Sequence, residues 1–102
     1  MEFPQEVVQE IVHICSPLHV LLYNEKRTLS TDKLKAASFC VVIPNGSDRD
    51  AMLRALYLSI DIEIPLNFIL YTAEEWEELN DDPASYAAWI GRKGRAVYDA
   101  EA

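Results

Sequence analysis

Three short apolar runs, at residues 18–23, 38–43 and 66–71, constrain this chain more than any other feature. Six residues make fewer than two helical turns, so none can bury itself as a helix, whereas a strand of that length is ordinary. Each run carries β-branched or aromatic residues and is set off by turn formers: Pro17 before the first, Pro44-Asn45-Gly46 after the second, Pro65 before the third. Three strands are therefore predicted, with Ser38-Phe39-Cys40-Val41-Val42-Ile43 as the buried central one. The polar stretch 24–35 reads as a loop between the first two.

The segments around the strands have helical period. Phe3, Val7, Val8, Ile11, Val12 and Ile14 recur at spacings that predict a first amphipathic helix over 2–14. Ser47 stands where an N-cap belongs, Asp48 and Asp50 suit the positive start of a helix, and Met52, Leu53, Leu56, Tyr57 and Ile60 form one apolar face. Thr72 followed three residues later by Glu75 has capping-box form and opens a short acidic helix through Leu79. A last helix is expected from about 83 to 93, with Tyr86, Trp89 and Ile90 on one face and Gly94 at its end, followed by a closing strand at Ala96-Val97-Tyr98. Strands interleaved with helices predict an α/β (α+β) domain, a small mixed sheet with helices packed on it. At 102 residues and 50% hydrophobic content, one domain spanning 1–102 with one modest core is expected.

Charge and cysteine usage narrow the partners. With 17 acidic against 9 basic side chains the net charge is −8, which repels phosphate backbones and anionic bilayers, so neither nucleic acid nor membrane is an expected partner. No apolar run approaches the roughly 20 residues of a membrane span, and the opening Met-Glu-Phe-Pro-Gln-Glu is acidic where a secretory signal is basic. A cytoplasmic setting is expected, with Cys15 and Cys40 as buried free thiols.

Residues 64–99 carry four motifs in close order: Ile-Pro-Leu-Asn-Phe-Ile-Leu-Tyr, Thr-Ala-Glu-Glu-Trp, Asp-Pro-Ala-Ser-Tyr and Gly-Arg-Ala-Val-Tyr. Together they resemble the carboxyl end of minimal nucleotidyltransferase domains of the DNA polymerase beta superfamily, which show a Pro-x-Asp strand, a Thr-Pro-Glu-Glu-Phe helix, an Asp-Pro-Ala-Ser-Phe helix and a Gly-x-Val-Leu-Tyr strand. The likeness covers about a third of the chain. It implies a site built from a Gly-Ser turn after the first strand, which brings backbone amides to nucleotide phosphates, and three carboxylates that hold two Mg²⁺ ions. Here the turn position has Tyr23-Asn24, the two carboxylate positions of the second strand fall on Ser38 and Cys40, and the third falls on Asn67. Ser and Asn offer neutral oxygens and Cys a soft sulfur, so the set is ill-matched to Mg²⁺. No Asp or Glu lies between Lys33 and Gly46, so sliding the alignment does not restore the pair.

The resemblance thus implies a catalytically inactive descendant with no metal and no cofactor, serving as a protein-interaction or regulatory module. Minimal nucleotidyltransferases of this kind often work beside a small helical HEPN-type protein as antitoxin to toxin; such a partner, or self-association, is the expectation. Two alternatives stand beside it: an active Mg²⁺-dependent nucleotidyltransferase with Asp61 and Glu63 as displaced ligands, and a metal-free sensor binding a small anion through Lys26, Arg27 and Lys35. Other groupings have plainer readings. His13, Cys15 and His19 straddle Pro17 without the paired spacing of a zinc site. Cys40 sits among apolar neighbours that make a thiol inert, and the acidic run 74–82 reads first as a solvated helix face and second as a dock for a basic partner.

Overall fold

The structure, a computed structural model, describes residues 5–31, 33–60 and 64–100. In chain order the elements are α1 (Gln5–Cys15), β1 (His19–Arg27), β2 (Leu34–Ile43), α2 (Arg49–Ser59), β3 (Leu66–Thr72), α3 (Ala73–Asn80), α4 (Tyr86–Lys93) and β4 (Arg95–Asp99). The strands form one mixed sheet of order β3-β2-β1-β4, in which β2 pairs antiparallel with β1 and parallel with β3, and β4 closes antiparallel on β1. The expected fold class is the one observed.

Strand alternation sends Ala37, Phe39, Val41 and Ile43 of β2 to one face and Ser38, Cys40 and Val42 to the other, and all seven are buried. The first set forms the main core with Val7, Val8, Ile11 and Cys15 of α1, Val20 and Leu22 of β1, Leu56 of α2, and Phe68 and Leu70 of β3. Phe39 and Phe68 stack at 5.9 Å within it. Over the second face lie α3 and α4, the latter burying Ala87, Ala88 and Ile90. Helix α3 buries no side chain. It is held instead by its start: the Thr72 N–H donates to Glu75 Oε1 (2.9 Å), the Glu75 N–H donates to Thr72 Oγ1 (3.2 Å), and the Glu74 N–H donates to Asn45 Oδ1 (3.0 Å). Thr72 and Glu75 are the capping box read from the sequence.

Four local expectations change. The polar stretch 24–35 is not a loop: β1 continues through Arg27 and β2 starts at Leu34, making a hairpin whose extension is held by backbone pairing, with Glu25 and Arg27 ion-paired at 2.7 Å along β1. Strand pairing needs no apolar side chains, so hydropathy missed it. The cap of α2 is Asp48, whose Oδ1 accepts from the Ala51 N–H, while the Ser47 hydroxyl donates to Pro44 O. Helix α4 begins at Tyr86, three residues later than read, because Ser85 accepts from the Ala88 N–H as its cap. Gly94 follows α4 with φ −76°, not in the left-handed region; a Cβ there would meet Ile90 O at 2.7 Å and Tyr23 Cβ at 3.3 Å, so close approach to β1 selects the glycine.

Phe39→Ala is expected to lower unfolding free energy by about 3–5 kcal/mol, and Thr72→Ala by only about 1 kcal/mol. Chemical denaturation of the two variants beside the parent checks both values, and equal losses would contradict this division between core and cap.

Candidate functional site

Register decides whether the positions singled out in the sequence meet. Asn24 of β1 pairs with Ser38 of β2, and Ser38 pairs in turn with Asn67 of β3, so the three stand in one row across adjacent strands. Cys40 lies one step further along the same face of β2, between Leu21 and Ile69. A register shift between Leu22 and Asn24 inserts Tyr23 as an extra residue, so Tyr23 and Asn24 together oppose the one residue Ser38. All five candidate positions therefore gather at one region of the α3/α4 side. Ser38 is buried, whereas Asn24 and Asn67 at the two ends of the row are exposed.

Aromatic side chains close over the middle of the row. The Tyr23 ring meets Tyr86 edge-on at 6.0 Å and Trp89 edge-on at 6.2 Å, and Tyr86 and Trp89 stack on each other at 5.5 Å. Burial first, and then the neighbouring Tyr86 hydroxyl, push the Tyr23 phenol above its ordinary value; a hydrogen bond with Ser38 offsets part of this. Tyr71 of β3 is raised as well, by burial and then by its proximity to Cys40, Tyr86 and Glu75. Burial alone pushes the Cys40 thiol up to about 12 and the Cys15 thiol to about 11. Both cysteines are free and buried, on opposite faces of the sheet. Chemically the region is a packed cluster of phenols, one hydroxyl and one inert thiol.

The basic positions do not converge on it. Arg27 donates to Glu25 at 2.7 Å, and Glu25 also lies 3.6 Å from Arg95. Lys26 pairs with Ala36 and falls on the Ser38 face, while Lys35 is the extra residue at the second register shift, between the pairs Lys26–Ala36 and Arg27–Leu34. Asp61 and Glu63 lie outside the described residues. Among the described residues, no three of His, Cys, Asp and Glu are grouped as a metal site.

The sequence puts Tyr86 and Trp89 on one face of the last helix without linking them to Tyr23, and it carries no sign that Tyr71, opposite Val42, comes near Cys40 and Tyr86. The spacing of three between Tyr86 and Trp89 was the available signal, since it puts both rings on one side of a helix. Buried on α4 are instead Ala87, Ala88 and Ile90, small enough for the helix to lie close on β1.

Away from the row, a cavity of about 180 Å³ opens at the start of β1, lined by Leu18, His19, Val42, Ala73, Trp76 and Glu77. His19 Nδ1 lies 3.6 Å from Asp99 Oδ1 beside it. Comparisons of the chain with protein-family models, with curated proteins and with solved structures give no match.

Both thiols should resist alkylating reagents in the native protein at pH 8 and react on denaturation. Because their folded values lie above the unfolded value of about 9, the stability they contribute is present below pH 9 and falls as pH rises towards 11–12. Thiol labelling and denaturation curves across pH 8–11 check this; rapid native labelling of Cys40 at pH 8 would contradict its burial.

Proposed function

We propose that this chain is a catalytically inactive protein of nucleotidyltransferase-like organisation that acts as an interaction or regulatory (antitoxin-like) module, its partner a small helical HEPN-type protein or a second copy of itself. The observation that carries this reading is the row Asn24, Ser38, Asn67 with Cys40 beside it. The register sets Ser38, Cys40 and Asn67, the positions the resemblance assigns to metal ligands, beside Asn24 of the turn position, and the side chains found there are neutral. Two Mg²⁺ ions at such a row would have no carboxylate to offset their charge. The phenols of Tyr23 and Tyr86 pack where an open site would need room.

An interaction role is supported on the outer side of the same cluster. Tyr86 and Trp89 remain 54% and 37% exposed although they stack on each other, and large half-exposed aromatics are the groups that anchor protein interfaces. Both outer edges of the sheet are modified against strand addition. On β3 the Phe68 N–H donates to the Tyr57 hydroxyl (3.2 Å), and β4 carries a register shift opposite Val20 and Leu21. Side-chain docking is thus favoured over sheet-edge pairing. A cytoplasmic setting agrees with two free buried thiols.

Calorimetric titration with ATP, with and without Mg²⁺, should give no Mg²⁺-dependent heat; a saturable Mg²⁺-dependent isotherm would restore the enzyme reading. A second test addresses the geometry. The triple variant Ser38→Asp, Cys40→Asp, Asn67→Asp should melt lower than the parent in chelator and be raised by Mn²⁺, because ligand binding to the folded state alone raises its stability. A melting temperature indifferent to Mn²⁺ would mean that the row is not a former metal site.

A further inference from the structure

The hairpin joining β1 and β2 ends in a fully exposed leucine, Leu29, on a turn held by the Thr28–Thr31 hydroxyl contact and by the Thr28 N–H donating to Lys33 O (2.9 Å). Residues 25–35 carry four cations against two acids, a net +2 in a chain of net −8. Lys26, Lys33 and Lys35 are exposed around the tip. A lone exposed leucine is ordinary; one at the end of a projecting hairpin, within the chain's basic segment, is placed to enter something.

The opposite end of the same strands has the complementary features. The 180 Å³ cavity is lined by apolar Leu18, Val42, Ala73 and Trp76 together with His19 and Glu77. It is comparable with the roughly 150 Å³ apolar cavity that admits a benzene ring. The segment 74–82 that borders it holds six acids and no cation. The cavity borders the first residue of β1, His19, and the tip follows its last, Arg27. The nine residues of β1, at about 3.3 Å each, separate the two ends by about 30 Å. No chain can therefore fill its own cavity.

We propose that the protein associates head to tail with a second copy of itself, the Leu29 tip of one protomer entering the Leu18–Val42–Trp76 cavity of the next while Lys26, Lys33 and Lys35 face the acidic α3 segment. A heterologous contact of this kind uses two different surfaces on each protomer, so it continues into a ring or an open chain unless one surface is removed. Charge complementarity and the apolar tip select a second copy as the occupant, since both halves of the contact are present on this chain. Such assembly names a partner for the interaction module above and rests on that reading for its biological role, not for its geometry. A failure of docking leaves the nucleotide titration unchanged, so the two fail separately.

The test is sedimentation analysis of the full chain, its Leu29→Asp variant, its Glu77→Lys variant and an equimolar mixture of the two variants. Leu29 and Glu77 are both exposed, so both variants should retain the parent's circular dichroism. The parent is expected to gain mass with concentration at about 0.1 M salt and to lose that gain at about 1 M, where screening shortens from about 10 Å to about 3 Å. Leu29→Asp removes the apolar tip and Glu77→Lys sets a like charge at the cavity against the basic hairpin, so each alone should be monomeric. Their mixture retains one good tip and one good cavity and should form a dimer that grows no further. A parent that stays monomeric up to about 1 mM, variants that assemble like the parent, or a mixture that stays monomeric would each overturn the proposal.

Discussion

From Ala37 to Ile43, strand β2 has no solvent face, and the remaining structure depends on that double burial. Phe39, Val41 and Ile43 are enclosed by α1, α2 and β3 on one side, while Ser38, Cys40 and Val42 lie beneath the α3/α4 layer on the other. A slip of one residue would exchange Phe39 for Ser38 or Cys40 in the main core, so the register on both flanks is tightly specified. Antiparallel pairing with β1 and parallel pairing with β3 then become consequences of one placement. The row Asn24, Ser38, Asn67 exists because that register holds on both sides at once.

The two layers over the sheet are built by different physics. The α1/α2 side is an ordinary apolar core, contributed by Val7, Val8, Ile11, Leu56 and Phe68. On the α3/α4 side, one helix buries nothing and is fixed by its capping box, by Asn45 and by the Arg49–Glu75 ion pair at 2.8 Å. The Glu75 carboxyl is held below its usual value by the Thr72 N–H first and by Arg49 second, so one side chain serves both the cap and the link to α2. The other helix lies on small residues and turns its rings outward, where Tyr86 and Trp89 meet Tyr23. Polar and aromatic chemistry therefore collects on the side where packing is least apolar.

Charge differs between the two ends of β1 and β2. The basic hairpin lies at one end of β1 and β2, and Ala73, Trp76 and Glu77 of the acidic helix α3 border the other. This polarity arises because the pairing of β1 and β2 continues past the apolar core, through polar Asn24 to Arg27 on β1 and back to Leu34 on β2.

Hydropathy and capping chemistry alone determined the three apolar strands, the helices between them, the mixed α/β class and the Thr72–Glu75 start of α3, because period and local hydrogen bonding are written in neighbouring residues. The carboxylate-free character of Ser38, Cys40 and Asn67 was legible for the same reason. Tertiary structure decided the rest. The hairpin at 24–35 was hidden because backbone pairing leaves no hydropathy signal, and Asp48 replaced Ser47 as a cap because Ser47 found Pro44 O. The meeting of Asn24 with Ser38 depended on the extra residue at Tyr23, and the union of Tyr23 with Tyr86 and Trp89 on how closely α4 approaches β1. Bulges and helix approach are set by contacts between residues distant in sequence, which no local pattern encodes.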